Sequence, residues 1–179
     1  LLPNVTIRAG ASFTNEGDAI VLVGGCGTHL GASQYLAEIL GREEGAPPPV
    51  DLAAEKRRGT IERQLIGAAR LTGVHDVSSG GLGVALAEMA IAGGIGATVK
   101  VDGPAHAALF GEDQGRYVLT VSQDRLDAVL EDLLDAGIDA QQIGKTGGKD
   151  LTVEGILTIS VANLKKEHED WFPSYMANA

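Results

Sequence analysis

Two stretches of this sequence carry side chains whose types and spacing suit phosphate and metal chemistry. In the first, His75-Asp76-Val77-Ser78-Ser79-Gly80-Gly81-Leu82, a carboxylate precedes two hydroxyls and a pair of glycines. Residues 74–77 read as a strand, and Leu82, Leu86 and Met89 recur at helical spacing, so the glycines open a helix. Unpaired amides at a helix start, glycines that admit close backbone approach, and the Ser78 hydroxyl together suit a phosphate oxygen. Asp76 would then hold Mg²⁺ against that phosphate. The same pattern is also satisfied by a plain turn in which Asp76 or Ser79 caps the helix. The second stretch, Phe110-Gly111-Glu112-Asp113-Gln114-Gly115-Arg116-Tyr117, sets four polar side chains just ahead of a strand. Glu112, Gln114 and Arg116 are candidates to face the same cleft as Asp76, Ser78, Gly80 and Gly81. A solvated loop with Arg116 paired to a neighbouring carboxylate accounts for them as well. No residue is assigned as a general acid, base or nucleophile.

Other tempting patterns fail on spacing. Gly144-Lys145-Thr146 resembles the end of a P-loop, but Asp139 stands where its first glycine belongs and Gly147-Gly148 follows in place of a helix. Gly25, Gly27 and Gly31 miss the dinucleotide fingerprint by one residue, since Leu30 occupies the third glycine position. Cys26 and His29 lack a third, orienting group, and a small residue packed in a tight loop is the simpler reading. The four histidines have no paired ligand spacing, and His75 and Asp76 would point to opposite faces of a strand.

The elements that position these residues alternate between strands and helices. Residues 19–23 are an apolar, β-branched run bounded by glycines, which predicts a buried strand. Residues 32–40 predict a helix stopped by Gly41, and three prolines at 47–49 break the chain. Asp51 is placed to cap a helix running toward Leu71, with an interruption near Gly59. Strands are expected at 97–101 and 116–121, then a helix over 126–134 capped by Asp124 and ended by Gly137. Residues 151–153 and 156–161 predict a closing hairpin about Glu154-Gly155, followed by a last helix in the polar tail. No repeat of solenoid length occurs.

Composition narrows the function classes. The chain has 179 residues, enough for one core, and its 25 glycines gather at the ends of predicted strands, where ligand loops of α/β proteins lie. With 14 basic and 24 acidic residues the net charge is −10, which argues against general nucleic-acid binding and requires any phosphate to be held locally. No long apolar run predicts a membrane span, one cysteine excludes an internal disulfide, and a cytoplasmic location is expected. The sequence starts at Leu1 with a β-like stretch at 3–7, which reads as a beginning in mid-protein.

The run 75–89, followed after 20 residues by 110–117, resembles the C-terminal domain of the aminoimidazole ribonucleotide synthetase superfamily. Gly17-Asp18-Ala19-Ile20, Leu30-Gly31-Ala32-Ser33-Gln34-Tyr35 and Ile143-Gly144 extend the likeness over nearly the whole chain. Within the superfamily, the Tyr35 and Arg116 regions look most like synthetase subunits of phosphoribosylformylglycinamidine synthase. They fit selenophosphate synthetase, thiamine monophosphate kinase and hydrogenase maturation proteins less well. The resemblance implies an α+β fold, a layered α/β sandwich with a mixed sheet and partial likeness to a ferredoxin-like arrangement. It implies one domain over 1–179 of a larger synthetase, with 1–18 leading in from a preceding domain and 165–179 as a tail. It also implies ATP or ADP with Mg²⁺, a glutaminase subunit and a small bridging subunit as partners, and a role in glutamine-dependent ligation in purine synthesis. Asp113 stands where the family's first-half motif has serine, and Ser79 where aspartate is common, and these departures favour a structural or auxiliary nucleotide site over a catalytic one.

Overall fold

The computed structural model describes residue 4 and residues 6–178. Within the β-like stretch expected at 3–7, Pro3 and Val5 lie outside the described residues, and Thr6 and Ile7 form a turn and a bend. Seven strands make one mixed sheet in the order β2-β4-β1-β5-β3-β6-β7: β1 (Ala19–Val23), β2 (Gly73–Val77), β3 (Ala97–Val99), β4 (Arg116–Val121), β5 (Ala140–Thr146), β6 (Asp150–Val153) and β7 (Leu157–Ser160). Among the described strands, β3 and β6 pair in parallel and the other neighbours are antiparallel. The helices are α1 (Leu52–Gly67), α2 (Gly81–Gly93), α3 (Ala105–Phe110), α4 (Leu126–Asp135) and α5 (Val161–Asn178). This is the expected α+β layering. Its first half of the sheet, β2-β4-β1-β5, joined through α1 and α4, has the strand order of a ferredoxin-like split βαβ unit.

β1 is central, and all five of its side chains are buried. Alternation sends Ala19, Val21 and Val23 to one face, where they pack with Leu65 of α1 and Leu126, Val129 and Leu133 of α4. Ile20 and Leu22 go to the other face, onto Leu82, Leu86 and Met89 of α2. Phe13, 1 % exposed, completes this second core. A Cβ on Gly93 would come within 2.1 Å of the Phe13 carbonyl oxygen, so a glycine is required where the leading segment crosses α2.

Several local expectations change. Residues 32–40 yield only a wide helical turn over Tyr35–Ile39, followed by Gly41 at φ +63°. Asp51 does cap α1, its Oδ1 accepting from the amides of Ala53 (2.9 Å) and Ala54 (3.0 Å). Gly59 does not interrupt α1, but the helix stops at Gly67 and Ala69 turns at φ +54°. Asp124 lies inside a 3₁₀ turn, Gln123–Arg125, and makes no cap to α4. Leu134, at the end of the expected apolar stripe, is exposed. The hairpin about Glu154-Gly155 and the last helix form as expected. Among the described residues, no helix is long and apolar enough to cross a membrane.

Candidate functional site

The two motifs meet at the carboxyl end of β2. The chain leaves Val77 through exposed Ser78 and Ser79, and Gly80 at φ +82° and Gly81 at φ +71° turn it into α2. A Cβ on Gly81 would lie 2.7 Å from the Leu109 carbonyl oxygen and 2.8 Å from that of Gly111. The second glycine therefore admits the backbone that follows α3. The Gly81 amide is taken by the Ser78 carbonyl at 3.0 Å and is not free for a ligand.

Glu112 binds this turn to a third segment. Its Oε1 accepts from the Gly80 amide (2.8 Å) and from the Gln34 amide (2.9 Å), while its own amide donates to the His29 carbonyl (3.0 Å). Two backbone donors thus converge on one anionic oxygen, which is the geometry of an anion cradle filled by a carboxylate. Gln114 is exposed, and its side-chain amide donates weakly back to the Glu112 carbonyl at 3.4 Å. The ring of Tyr35 stacks on Phe110 with centroids 5.4 Å apart.

Asp113 makes a parallel arrangement on the glycine-rich loop after β1. Its Oδ2 accepts from the amides of Thr28 (2.7 Å) and His29 (2.9 Å), and its Oδ1 from the Thr28 hydroxyl (2.9 Å). Burial works to raise the carboxyl, but the hydrogen bonds from His29 and Thr28 outweigh it and hold Asp113 below the ordinary aspartate value. Thr28 has no signal in the sequence, and Gln34 belongs to a run that marks the family without announcing this contact; the carboxylate each amide meets lies about eighty residues away.

Arg116 corrects the expectation of a shared cleft. It is 1 % exposed, with Nε donating to the Gly25 carbonyl and Nη1 to the Gly111 carbonyl, both at 3.0 Å. Nη2 is buried and has no hydrogen-bond partner among the described residues. Burial pulls the guanidinium below its ordinary value, and the charges of Asp113 and Cys26 oppose that pull. Arg116 is a clamp beneath the glycine loop.

Asp76 stands apart. Its side chain is 67 % exposed on the α1 side of β2, next to Tyr117 and near enough to Glu62 for its charge to be felt there. His75 points the other way, its Nε2 3.2 Å from Glu88 of α2. Among the described residues, no three His, Cys, Asp or Glu side chains gather into a metal centre. Asp76 fits Mg²⁺ only as a single carboxylate sharing the ion with a ligand's phosphates, a common arrangement for that ion.

On the α1 side, Gly24, Pro48, Pro49, Asp51, Glu55, Arg58, Asp113 and Gln114 line an open cleft of about 250 Å³. Nearby, Glu62 of α1 is 6 % exposed and its Oε1 has no hydrogen-bond partner among the described residues. Burial, then the charges of Glu55 and Asp76, push its carboxyl up to about 8 against the pull of Arg58 and Arg63.

The chain is 50% identical over 181 residues to the phosphoribosylformylglycinamidine synthase subunit PurL of Methylocella silvestris, covering 100% of this chain and 25% of that protein. The corresponding subunit of Rhodopseudomonas palustris strain HaA2 is 52% identical over 182 residues, covering 99% and 24%. The chain therefore spans about a quarter of the curated relatives it matches. In fold it is similar to Thermotoga maritima PurL complexed with FGAR, with TM-score 0.78 at 18% identity, over 90% of this chain and 30% of that one. A more distant likeness joins it to thiamine-monophosphate kinase from Stenotrophomonas maltophilia, with TM-score 0.60 at 22% identity, over 82% and 53%. The family model described as AIR synthase related protein, C-terminal domain, matches residues 15–156, and the chain belongs to that family.

Proposed function

We propose that this chain is the C-terminal domain, over residues 1–179, of the synthetase subunit of a phosphoribosylformylglycinamidine synthase. The whole protein would be an ATP-dependent ligase that converts formylglycinamide ribonucleotide to the amidine with ammonia taken from glutamine. The observation that carries this reading is half-identity to PurL subunits along the full length of the chain. A likeness of fold alone would leave several reactions open. In this reading residues 1–18 arrive from a preceding domain, 165–179 form a tail, and the protein works in the cytoplasm. The remaining synthetase domains, a glutaminase subunit and a small bridging subunit are its partners. A solved Thermotoga maritima assembly is described as PurLQS, in keeping with a multi-subunit enzyme.

Within the domain, the reading assigns nucleotide contact to the β2–α2 turn. Ser78 offers an exposed hydroxyl, Gly80 an amide now held by Glu112, and Asp76 one carboxylate for Mg²⁺ shared with phosphates. Exposed Gln114 can reach the same ligand, whereas Gly81 and Arg116 contribute backbone fit and loop position. Related Thermotoga maritima proteins are described as complexed with ATP, ADP and AMPPCP, which supports a nucleotide as the ligand. An auxiliary, non-catalytic nucleotide site is favoured by Asp113 and Glu112, because both carboxylates already fill the amides that a reacting phosphate would need.

The test is the full-length protein with ATP, Mg²⁺, formylglycinamide ribonucleotide and ammonium, with ADP and amidine product followed together. Coupled release of both supports the assignment; ATP turnover without amidine refutes it. The 179-residue chain alone should show neither, since phosphoryl transfer needs charge stabilisation from several directions.

A further inference from the structure

We infer that the loop at Thr28–His29 is a built anion subsite which this chain fills with its own Asp113 carboxylate, so that Asp113 is the residue denying that subsite a phosphate. Three donors from one loop, the Thr28 amide at 2.7 Å, the His29 amide at 2.9 Å and the Thr28 hydroxyl at 2.9 Å, converge on that carboxylate. They come from a segment 84 and 85 residues distant in sequence, so the arrangement is no local turn. Beneath the loop lies the Arg116 guanidinium, 1 % exposed, tied to the Gly25 carbonyl and with Nη2 unpartnered among the described residues. A buried cation beneath two amides and a hydroxyl suits a phosphate monoester or inorganic phosphate. Gly27 lets the guanidinium come up under the loop: a Cβ there would meet Arg116 Nη1 at 3.0 Å and the Ala107 carbonyl oxygen at 2.6 Å.

Access is present as well. Asp113 is only partly buried and forms part of the wall of the 250 Å³ cleft that opens on the α1 side. With its carboxylate in place, an incoming phosphate meets a negative charge where its own oxygen would sit, and like charges at such contact repel. The depressed pKa of Asp113 agrees with this, since the donors favour an anion in that position. Specificity is then set by a repulsive element already inside the site. Resting on the auxiliary-site reading proposed for the domain, this gives Asp113 the task of keeping a second phosphorylated ligand out.

The test is a titration of the ¹⁵N-labelled 179-residue chain with inorganic phosphate at constant ionic strength, following the Thr28 and His29 amide signals. In the wild type these two signals should stay put. In Asp113→Ala they should shift and saturate, with half-saturation at least tenfold below any wild-type response. Asp113→Asn should behave as wild type, because its amide oxygen refills the cradle. If Asp113→Ala does not fold, Asp113→Ser leaves both amides free and serves the same purpose. A folded variant whose Thr28 and His29 amides ignore phosphate overturns the inference, as does a wild type that responds equally. None of these readouts involves nucleotide, Mg²⁺ or turnover, so a full-length protein lacking ligase activity would sink the functional assignment and leave this result standing.

Discussion

Asp76 and Arg116 occupy neighbouring register positions on β2 and β4, yet their side chains leave the sheet on opposite faces. Asp76 is paired with Tyr117 and Val77 with Arg116, and alternation along each strand does the rest. One residue of the proposed site is thereby in solvent and the other is sealed into the packing of the glycine loop.

Replacing Arg116 should therefore damage the fold before it touches ligand binding. Arg116→Met strands the carbonyls of Gly25 and Gly111, and losing two charge-assisted hydrogen bonds costs on the order of 3 kcal/mol. Arg116→Lys should recover little of this, because an ammonium cannot reproduce the planar fork. Urea unfolding midpoints check it; a midpoint within error of wild type for Arg116→Met would contradict the clamp.

Asp76→Asn should leave unfolding midpoints unchanged, within about 0.5 kcal/mol for an exposed polar exchange. In the full-length protein it should lower Mg²⁺-dependent nucleotide retention, measured by native mass spectrometry. Equal nucleotide content in both proteins would reduce Asp76 to a surface residue.

The buried carboxyl of Glu62 predicts a stability that depends on pH. Its folded value, about 8, lies above the ordinary 4.5, so the fold favours the protonated form. The stability it lends is fully present below about pH 4.5 and is lost as pH rises through 8. With each pH unit between those two values worth about 1.4 kcal/mol, the wild type should lose a few kcal/mol across that window. Glu62→Gln, which cannot ionise, should flatten the profile. Denaturation curves followed from mildly acidic to mildly alkaline pH that run parallel for the two proteins would refute this.

Gly81→Ala should cost about 2 kcal/mol or more. The new methyl meets carbonyl oxygens at 2.7 and 2.8 Å, and the residue sits at φ +71°, which disfavours any Cβ. Thermal melting decides it, and a loss below about 0.5 kcal/mol would mean that the backbone after α3 yields more easily than the contacts suggest.

The fold is legible in the sequence where burial writes a clear pattern. β1 is apolar throughout because both of its faces are covered, and α2 opens at paired glycines and closes at Gly94. β5 carries no such pattern, because its residues, Ala-Gln-Gln-Ile-Gly-Lys-Thr, bury only Ile143 and Thr146 and owe their strand to pairing with β1 and β3. α3 spans six residues, too few for a helical period to declare itself. At the site, the two motifs do meet as their chemistry suggests, since Gly80 and Glu112 touch. The burial of Arg116 has no sequence signal, because a charged residue at a strand's start ordinarily faces water. The partners of Asp113 lie 84 and 85 residues away in sequence, and no local spacing announces such a contact.

β1 has a consequence for how the chain reaches this state. Its partners, β4 and β5, are made about a hundred residues later, and the strand cannot be covered on either edge until they exist. During synthesis the five apolar residues of β1 must wait, exposed, until the ribosome has released residues up to about Thr146. Long loop closures of this kind slow the search for the native pairing. The interval before β4 and β5 arrive is when this chain is most open to aggregation and most in need of a chaperone.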